Sequence, residues 1–132
     1  MALPTDAKER KRVPIVTGVL DYFPRAIAEI AKVSLAGNNQ HHAGEPLHWD
    51  KSKSTDEADA LGRHLLQRGT VDIDGIRHSG KLAWRALALL ERELEAEEEI
   101  NQEKRLSDVR TILDAQTIVF NEMTRVKADS CQ

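Results

Sequence analysis

The sequence predicts an all-α protein, a compact bundle of about four helices with one long loop that carries functional groups. Aromatic residues make up 4% of the 132 residues and charged residues 31%, and alanine and leucine dominate the apolar set. This balance favours helices over a sheet. Apolar residues also recur at spacings of three and four, as on the buried side of a helix. We expect one domain, residues 1–132, around a single core.

The N-terminal part of the chain predicts a tail, an irregular segment and a first helix. Residues 1–12 are polar and basic and are expected to be flexible. In the apolar segment that follows, Pro14 and Gly18 interrupt any regular element. Pro24 suits the first turn of a helix and Gly37 is a good stop, which predicts a helix over residues 24–36. Its apolar face consists of Ile27, Ile30, Ala31, Val33 and Leu35.

Three further helices follow a loop at residues 36–54, which reads AGNNQHHAGEPLHWDKSKS. A Ser or Thr N-cap and acidic residues in the first turn predict the second helix at residues 56–68, ending before Gly69. The run TVDIDGIRHSG turns the chain. A leucine stripe at spacings of three and four predicts a long helix over residues 76–97 with a solvated, charged end. Another apolar stripe predicts a C-terminal helix over residues 106–123.

Charge and cysteine content exclude several functional classes. The net charge of −3 argues against a site for a nucleic-acid polymer, which normally has an excess of Lys and Arg on one face. Cys131 is the only cysteine, so neither a disulfide framework nor a thiolate zinc site is expected. No apolar run approaches the ~20 residues of a membrane span, and no signal-peptide core follows the N-terminus. We therefore expect a soluble protein of a reducing compartment, the cytoplasm.

Polar residues form two groups that a bundle can direct inward. Asp56 and Asp59 are three residues apart, and Arg63 follows Asp59 by four, so these three share a helix face. The second group, Asp74, His78, Lys81 and Arg85, follows spacings of four, three and four. Facing helices that carry carboxylates are how helical bundles commonly hold a divalent metal. Mg²⁺ takes a few carboxylates and keeps positions open for water and phosphates.

Each of these groups also has a simpler interpretation. Asp56 and Glu57 suit the first turn of a helix because of its dipole, and for Glu57 this interpretation is preferred to a ligand role. Asp59 with Arg63 is also consistent with an ordinary surface ion pair. His64 is consistent with a half-buried structural histidine. Asp72 and Asp74 in VDIDG are equally consistent with turn formers that precede the long helix. Spacing alone therefore does not establish a metal site.

Residues 21–95 contain the elements GNNQHHAG, LHWDKSKS, RHLL, DIDGIRH and KLAWRALALL. Together they resemble the phage and bacterial family of dATP/dGTP diphosphohydrolases, N-terminal domain. The resemblance marks residues 21–95 as the nucleotide-binding core. It also implies kinship with MazG-like all-α nucleoside triphosphate pyrophosphatases, which hold Mg²⁺ with carboxylates on two helices and cleave the α–β phosphate bond. For a phage protein, the compartment would be the host cytoplasm.

The resemblance implies that Mg²⁺ or Mn²⁺ bridges the phosphates while an activated water attacks the α-phosphorus. The residues it makes candidates for catalysis are Asp59, Asp74 and His78. The candidate metal ligands are Asp59, Asp74, Glu29, Asp56 and Asp72. The candidate substrate-binding residues are Asn38, His41, His42, Trp49, Lys51, Lys53, Arg63, His64, Lys81 and Arg85. Among these, Trp49 is expected to stack on a purine.

The sequence departs from the MazG-like pattern of an ExxE pair on one helix and an ExxD-type pair on another. Glu29 is followed three residues later by Lys32, and only Asp56 and Asp59 supply such a spacing in the matched helices. Two functions follow: a Mg²⁺-dependent diphosphohydrolase acting on dATP or dGTP, or a module that binds a nucleotide without cleaving it, such as a phage protein that sequesters a defence signalling nucleotide. An apolar last helix also predicts a homo-oligomer.

Overall fold

The computed structural model describes residues 3–129, apart from the side chains of residues 124 and 126–129. The all-α prediction is confirmed, since the described residues contain helices and no strand, only an isolated bridge between Val71 and Arg77. Cys131, on which the expectation about disulfides and thiolate zinc depends, lies outside the described residues. The elements are α1 (Ala7–Arg10), a π-helical turn (Val16–Leu20), α2 (Pro24–His41), a 3-10 turn (Lys51–Lys53), α3 (Glu57–Leu66) and α4 (His78–Asp129).

Helix α2 begins at Pro24 as predicted but continues past Gly37, where we expected it to stop. Glycine costs a helix interior about 1 kcal/mol relative to alanine, so a tertiary contact must favour the longer helix. Asn38 supplies one, because this buried side chain bonds to the loop that follows. The backbone N–H of His42 closes the last turn on the carbonyl of Asn38 at 2.7 Å. Gly44, with φ +85°, then turns the chain.

Helix α4 is one continuous element, so the prediction of two helices at residues 76–97 and 106–123 is wrong. We expected a break within the charged run ERELEAEEEINQEKR, but residues 81–129 contain no glycine or proline. Glutamate, lysine, arginine, glutamine and leucine all have high helix propensity. High charge alone therefore did not interrupt the helix.

The chain divides into two units, Met1–Arg92 and Glu93–Gln132. In the first unit, Gly80 of α4 lies against α2: a Cβ built on it would lie 3.3 Å from the Cγ of Glu29 and 3.6 Å from the Cγ2 of Val33. The described residues bury only two apolar side chains, Ala60 and Ala88, together with Asn38, Glu57 and His78. The single domain predicted for residues 1–132 stays a prediction.

Many large apolar side chains of the first unit are exposed. Tyr22 is 70% exposed, Leu66 83% and Ile73 fully exposed. Each fully buried large apolar side chain contributes about 1.5–3 kcal/mol, so a unit with two buried alanines has little stabilisation of this kind.

Candidate functional site

A cavity of about 860 Å³ lies in the first unit. Its walls come from the C-terminal half of α2, the connection between α2 and α3, and the N-terminal part of α4, with His64 of α3 and Asp74 of the following turn. We call residues 42–56, which join α2 to α3, the cavity loop. The size is that of an ordinary small-ligand site.

The cavity brings together nine of the ten residues predicted to bind substrate. They are Asn38, His41, His42, Trp49, Lys51, Lys53, His64, Lys81 and Arg85. Arg63 is not among the lining residues; its Nη2 lies 2.6 Å from Oδ2 of Asp56 instead. Four of the nine are cationic, and because Asp50, Asp74 and Glu91 also line the cavity, its lining has only a small excess of positive charge.

Two tryptophans form an aromatic corner of the cavity. The rings of Trp49 and Trp84 lie 5.5 Å apart and nearly perpendicular, at 77°. Trp84 is fixed by the hydrogen bond that its Nε1–H donates to Oγ of Ser34, at 2.8 Å. The Nζ of Lys51 lies 4.8 Å from the centre of the Trp49 ring. Aromatic faces beside cations favour a ligand that carries both a planar ring and negative charge.

Glu57 is the centre of a buried ionic cluster, a role that sequence reasoning missed. Its side chain is 3% exposed and accepts a hydrogen bond from Nη1 of Arg85, while Nε of Arg92 lies 3.6 Å from its other oxygen. Arg92 also donates to the carbonyls of Lys51 and Ser54. The cluster thus ties α3 and α4 to the cavity loop.

Two predicted metal ligands converge on one point. The Nζ of Lys81 lies 2.7 Å from Oδ2 of Asp72 and 2.6 Å from Oδ2 of Asp74. Accepting a hydrogen bond from Lys81 holds the pKa of each carboxyl below its ordinary value. Burial opposes protonation of Lys81, but its bonds to the two carboxylates outweigh burial and raise its pKa.

The same two aspartates also form the turn before α4. Asp72 accepts from the backbone N–H of Ile73 at 2.7 Å, and Asp74 from that of Ile76 at 3.0 Å. The turn-former interpretation is therefore correct, and it leaves one oxygen of each carboxylate for Lys81. Asp74 lines the cavity.

The other predicted carboxylates lie elsewhere. Asp59 is exposed on α3 and does not line the cavity. Asp56 accepts from Arg63 and Ser54, and the bond from Arg63 is the main reason its pKa lies below the ordinary value. Glu29 pairs with Lys32 at 3.0 Å. These three do not join Asp72 and Asp74 in one cluster within the described residues.

His64 and His78 form a pair beside the cavity. Their Nδ1 atoms lie 3.0 Å apart, so one ring donates to the other. Burial, and then the neighbouring His78, lower the pKa of His64 below its ordinary value, which leaves it neutral near pH 7. His64 lines the cavity, whereas His78, predicted as catalytic, is buried behind it.

The cavity loop also presents a group of residues that could hold a metal ion: His42, Glu45 and His48, whose ligand atoms lie within 4.8 Å of one another. Among the described residues, this is the set of three or more His, Cys, Asp or Glu side chains whose ligand atoms come close enough together to share a metal ion. Only His42 was a predicted site residue. The spacing HxxExxH in HHAGEPLH was the sequence signal for the other two.

A comparison with protein families decides the relationship. The family described as dATP/dGTP diphosphohydrolase, N-terminal, matches residues 4–103. The chain belongs to this family. The match includes every residue that lines the cavity, so the family's shared region contains the candidate site. Searches of the curated proteins and of the solved structures gave no match. Within the part of the chain that is described, every helix is too short or too polar to cross a bilayer.

Proposed function

We propose that the cavity binds a purine deoxynucleoside triphosphate, dATP or dGTP, and hydrolyses it to a monophosphate and pyrophosphate with the help of Mg²⁺. The observation that carries the proposal is the cavity itself. In a chain of the diphosphohydrolase family, it combines four cations with a tryptophan corner. A triphosphate with a purine has the matching combination of charge and aromatic surface.

Different residues of the cavity are assigned to the phosphates and to the base of the substrate. Lys51, Lys53 and Lys81 line the cavity, and we assign them to the phosphates, with which ammonium groups form charge-assisted hydrogen bonds. Trp49 offers ring surface to the base. The Nδ2 and Oδ1 atoms of the Asn38 side chain are both bonded to the cavity loop. We therefore assign recognition of the base edge to His41 and Gln40, which also line the cavity.

Asp72 and Asp74 would hold one Mg²⁺ ion in the place that Nζ of Lys81 takes in this structure. Their two carboxylate oxygens converge on a single point, and Mg²⁺ in nucleotide sites is commonly held by one or two carboxylates plus water and substrate phosphates. When bound, the ion neutralises phosphate charge and activates a water molecule. Lys81 holds the same two oxygens in the absence of an ion and also lines the cavity, so it is suited to pair with phosphate.

His64 is suited to accept the proton of the attacking water. The water oxygen bonds to the α-phosphorus, the bond from that phosphorus to the oxygen bridging to the β-phosphorus breaks, and pyrophosphate leaves with that oxygen. In the tautomer in which Nδ1 of His64 donates to Nδ1 of His78, Nε2 of His64 carries the lone pair that receives the proton. His78 is then a positioning residue that fixes the tautomer and orientation of His64.

The test is incubation of purified protein with each common nucleoside triphosphate and Mg²⁺, followed by chromatography and mass spectrometry of the products. We expect dATP or dGTP to yield monophosphate and pyrophosphate in equal amounts, and EDTA to stop the reaction. If no triphosphate loses pyrophosphate with Mg²⁺ or Mn²⁺, the hydrolase proposal is wrong.

Binding without cleavage is a second candidate function, and one observation favours it. The predicted carboxylates are paired with cations, Asp56 with Arg63 and Asp72 and Asp74 with Lys81, rather than gathered in a cluster of three. The same incubation separates the two functions. A sequestering module would retain its nucleotide, a defence signal for example, in stoichiometric amount and release it intact after denaturation, with or without EDTA.

We also propose that the chain self-associates through the second unit. Exposed residues recur there at alternating spacings of three and four: Leu106, Val109, Leu113, Gln116, Phe120 and Met123. Leu106 is 70% exposed and Leu113 56%. This is the heptad repeat by which two helices of a coiled coil pack, so the occupant we propose is the same face of a second copy.

Changing Leu113 to glutamate is expected to dissociate the oligomer, because the change places a charge within the apolar stripe. Light scattering coupled to gel filtration measures the effect as a fall to the monomer mass. Thr111→Glu is the matched control, since Thr111 lies outside the stripe on the same helix and should leave the mass unchanged. A wild-type chain that is monomeric at high micromolar concentration would contradict the proposal.

A further inference from the structure

We infer that His42, Glu45 and His48 form a binding site for a transition-metal ion of the zinc class, separate from the carboxylates assigned to Mg²⁺. The ligand atoms of the three side chains lie within 4.8 Å of one another. Two imidazoles and one carboxylate are a common ligand set of zinc sites with an open position. Mg²⁺ prefers oxygen ligands, whereas imidazole suits Zn²⁺, Ni²⁺, Cu²⁺ and Fe²⁺.

The backbone of the cavity loop already holds the three residues in place. The N–H of His42 donates to the carbonyl of Asn38 at 2.7 Å, and the N–H of Glu45 donates to the carbonyl of His42 at 3.0 Å. The N–H of His48 donates to Oδ1 of Asn38 at 3.3 Å, and Nδ2 of Asn38 donates to the carbonyl of Glu45 at 3.2 Å. The buried side chain of Asn38 thus bonds to the backbone of both Glu45 and His48, so the segment is already ordered before an ion binds.

The contacts around both imidazoles leave suitable nitrogens for a metal. Nδ1 of His48 lies 3.0 Å from the carbonyl oxygen of Pro46. Since only an N–H can donate to a carbonyl, the neutral ring that makes this bond carries its lone pair on Nε2, which is then available to a metal. For His42, Nδ1 lies 3.8 Å from Glu45 and Nε2 lies 3.8 Å from Asp50. Carboxylates or carbonyls behind the ligating histidines are typical of metal sites.

The remaining adjustment is small. With metal–nitrogen bonds of about 2.0 Å, ligand atoms in a tetrahedral site lie about 3.3 Å apart, so each side chain must close by about 1 Å or less. Glu45 and His48 are exposed, and the ring of His48 already lies 4.4 Å from the ring of His42. The fourth position would be open to water or to a ligand in the cavity, because His42 and His48 line it.

A metal ion bound at this site is expected to affect the shape of the cavity, whether or not the protein cleaves a nucleotide there. The ion would cross-link the two ends of the segment 42–48, which leads directly into Trp49. Because Trp49 contacts Trp84 in the cavity, metal binding is expected to change tryptophan fluorescence. It would also add positive charge beside the cations that already line the cavity.

The experiment is a titration of chelator-stripped protein with Co²⁺, whose visible absorption reports tetrahedral nitrogen ligation, followed by displacement with Zn²⁺. We expect one equivalent to bind, in the presence of excess Mg²⁺, with a change in tryptophan fluorescence. His42→Gln and His48→Gln are each expected to weaken binding by about 100-fold or more, since loss of an outer-shell partner alone commonly costs about 10–100-fold. His41→Gln is the matched control, since it removes a neighbouring imidazole that is outside the group.

The outcomes are distinct. Loss of the cobalt spectrum in His42→Gln and His48→Gln, with circular dichroism unchanged and the spectrum retained in His41→Gln, supports the site. Retention of full affinity in both variants, or no binding to the unmodified protein at micromolar Co²⁺ or Zn²⁺, overturns it. Activity is not a readout here, so failure of this site leaves the proposed hydrolysis untouched, and the reverse is also true.

Discussion

Asp74→Asn is expected to lower kcat for dATP or dGTP by about 100-fold or more, the size of effect that loss of one preorganised electrostatic contact in a transition state commonly has. Asparagine keeps an oxygen for the N–H of Ile76, so the turn before α4 should survive. It removes the charge that, together with Asp72, is proposed to hold Mg²⁺. Steady-state kinetics over a range of Mg²⁺ concentrations measures the effect.

Asp59→Asn is the matched control for this prediction. Asp59 is also an aspartate predicted from the sequence as a metal ligand, but it is exposed and outside the cavity. We expect kcat to change less than about twofold. If Asp59→Asn abolished turnover while Asp74→Asn left it intact, the assignment of the ion to Asp72 and Asp74 would be wrong. Equal loss in both variants would instead point to a site that two chains complete together.

The sequence predicted the start of α2, the position of α3 and the turn before α4, because these features depend on local signals. Pro24, the acidic start of α3 and the turn at VDIDG each act within a few residues. The residues predicted to bind substrate are cations, imidazoles, one amide and one tryptophan, and many of them lie in residues 36–54. The structure places nine of the ten around one cavity.

The parts that sequence reasoning missed depend on contacts between distant residues. Glu57 and Arg85 are 28 positions apart, and Trp84 and Ser34 are 50 apart; no spacing rule predicts such pairs. The prediction that α2 ends at Gly37 was wrong for the same reason, since Asn38 gains two hydrogen bonds to the cavity loop when the helix continues. The continuity of α4, by contrast, follows from a local signal, because residues 81–129 contain no glycine or proline to interrupt the helix.

Glu57→Gln is expected to lower the free energy of unfolding by about 3 kcal/mol, the cost of breaking a buried ion pair by removing one partner. The side chain is 3% exposed and lies against Arg85 and Arg92. Glutamine fills the same volume but has no charge, and its amide N–H₂ adds donors beside two guanidinium groups that need acceptors. Urea denaturation followed by circular dichroism, at equal protein concentration, measures the change.

The same variant tests whether the buried cluster also shapes the cavity. Arg92 donates to the carbonyls of Lys51 and Ser54, so an Arg92 without its anionic partner should hold the cavity loop less firmly and weaken nucleotide binding. Asp59→Asn, on the same helix but exposed, should change stability by no more than about 0.5 kcal/mol. A Glu57→Gln protein as stable as the unmodified chain would mean that the two arginines are solvated well enough to need no anionic partner.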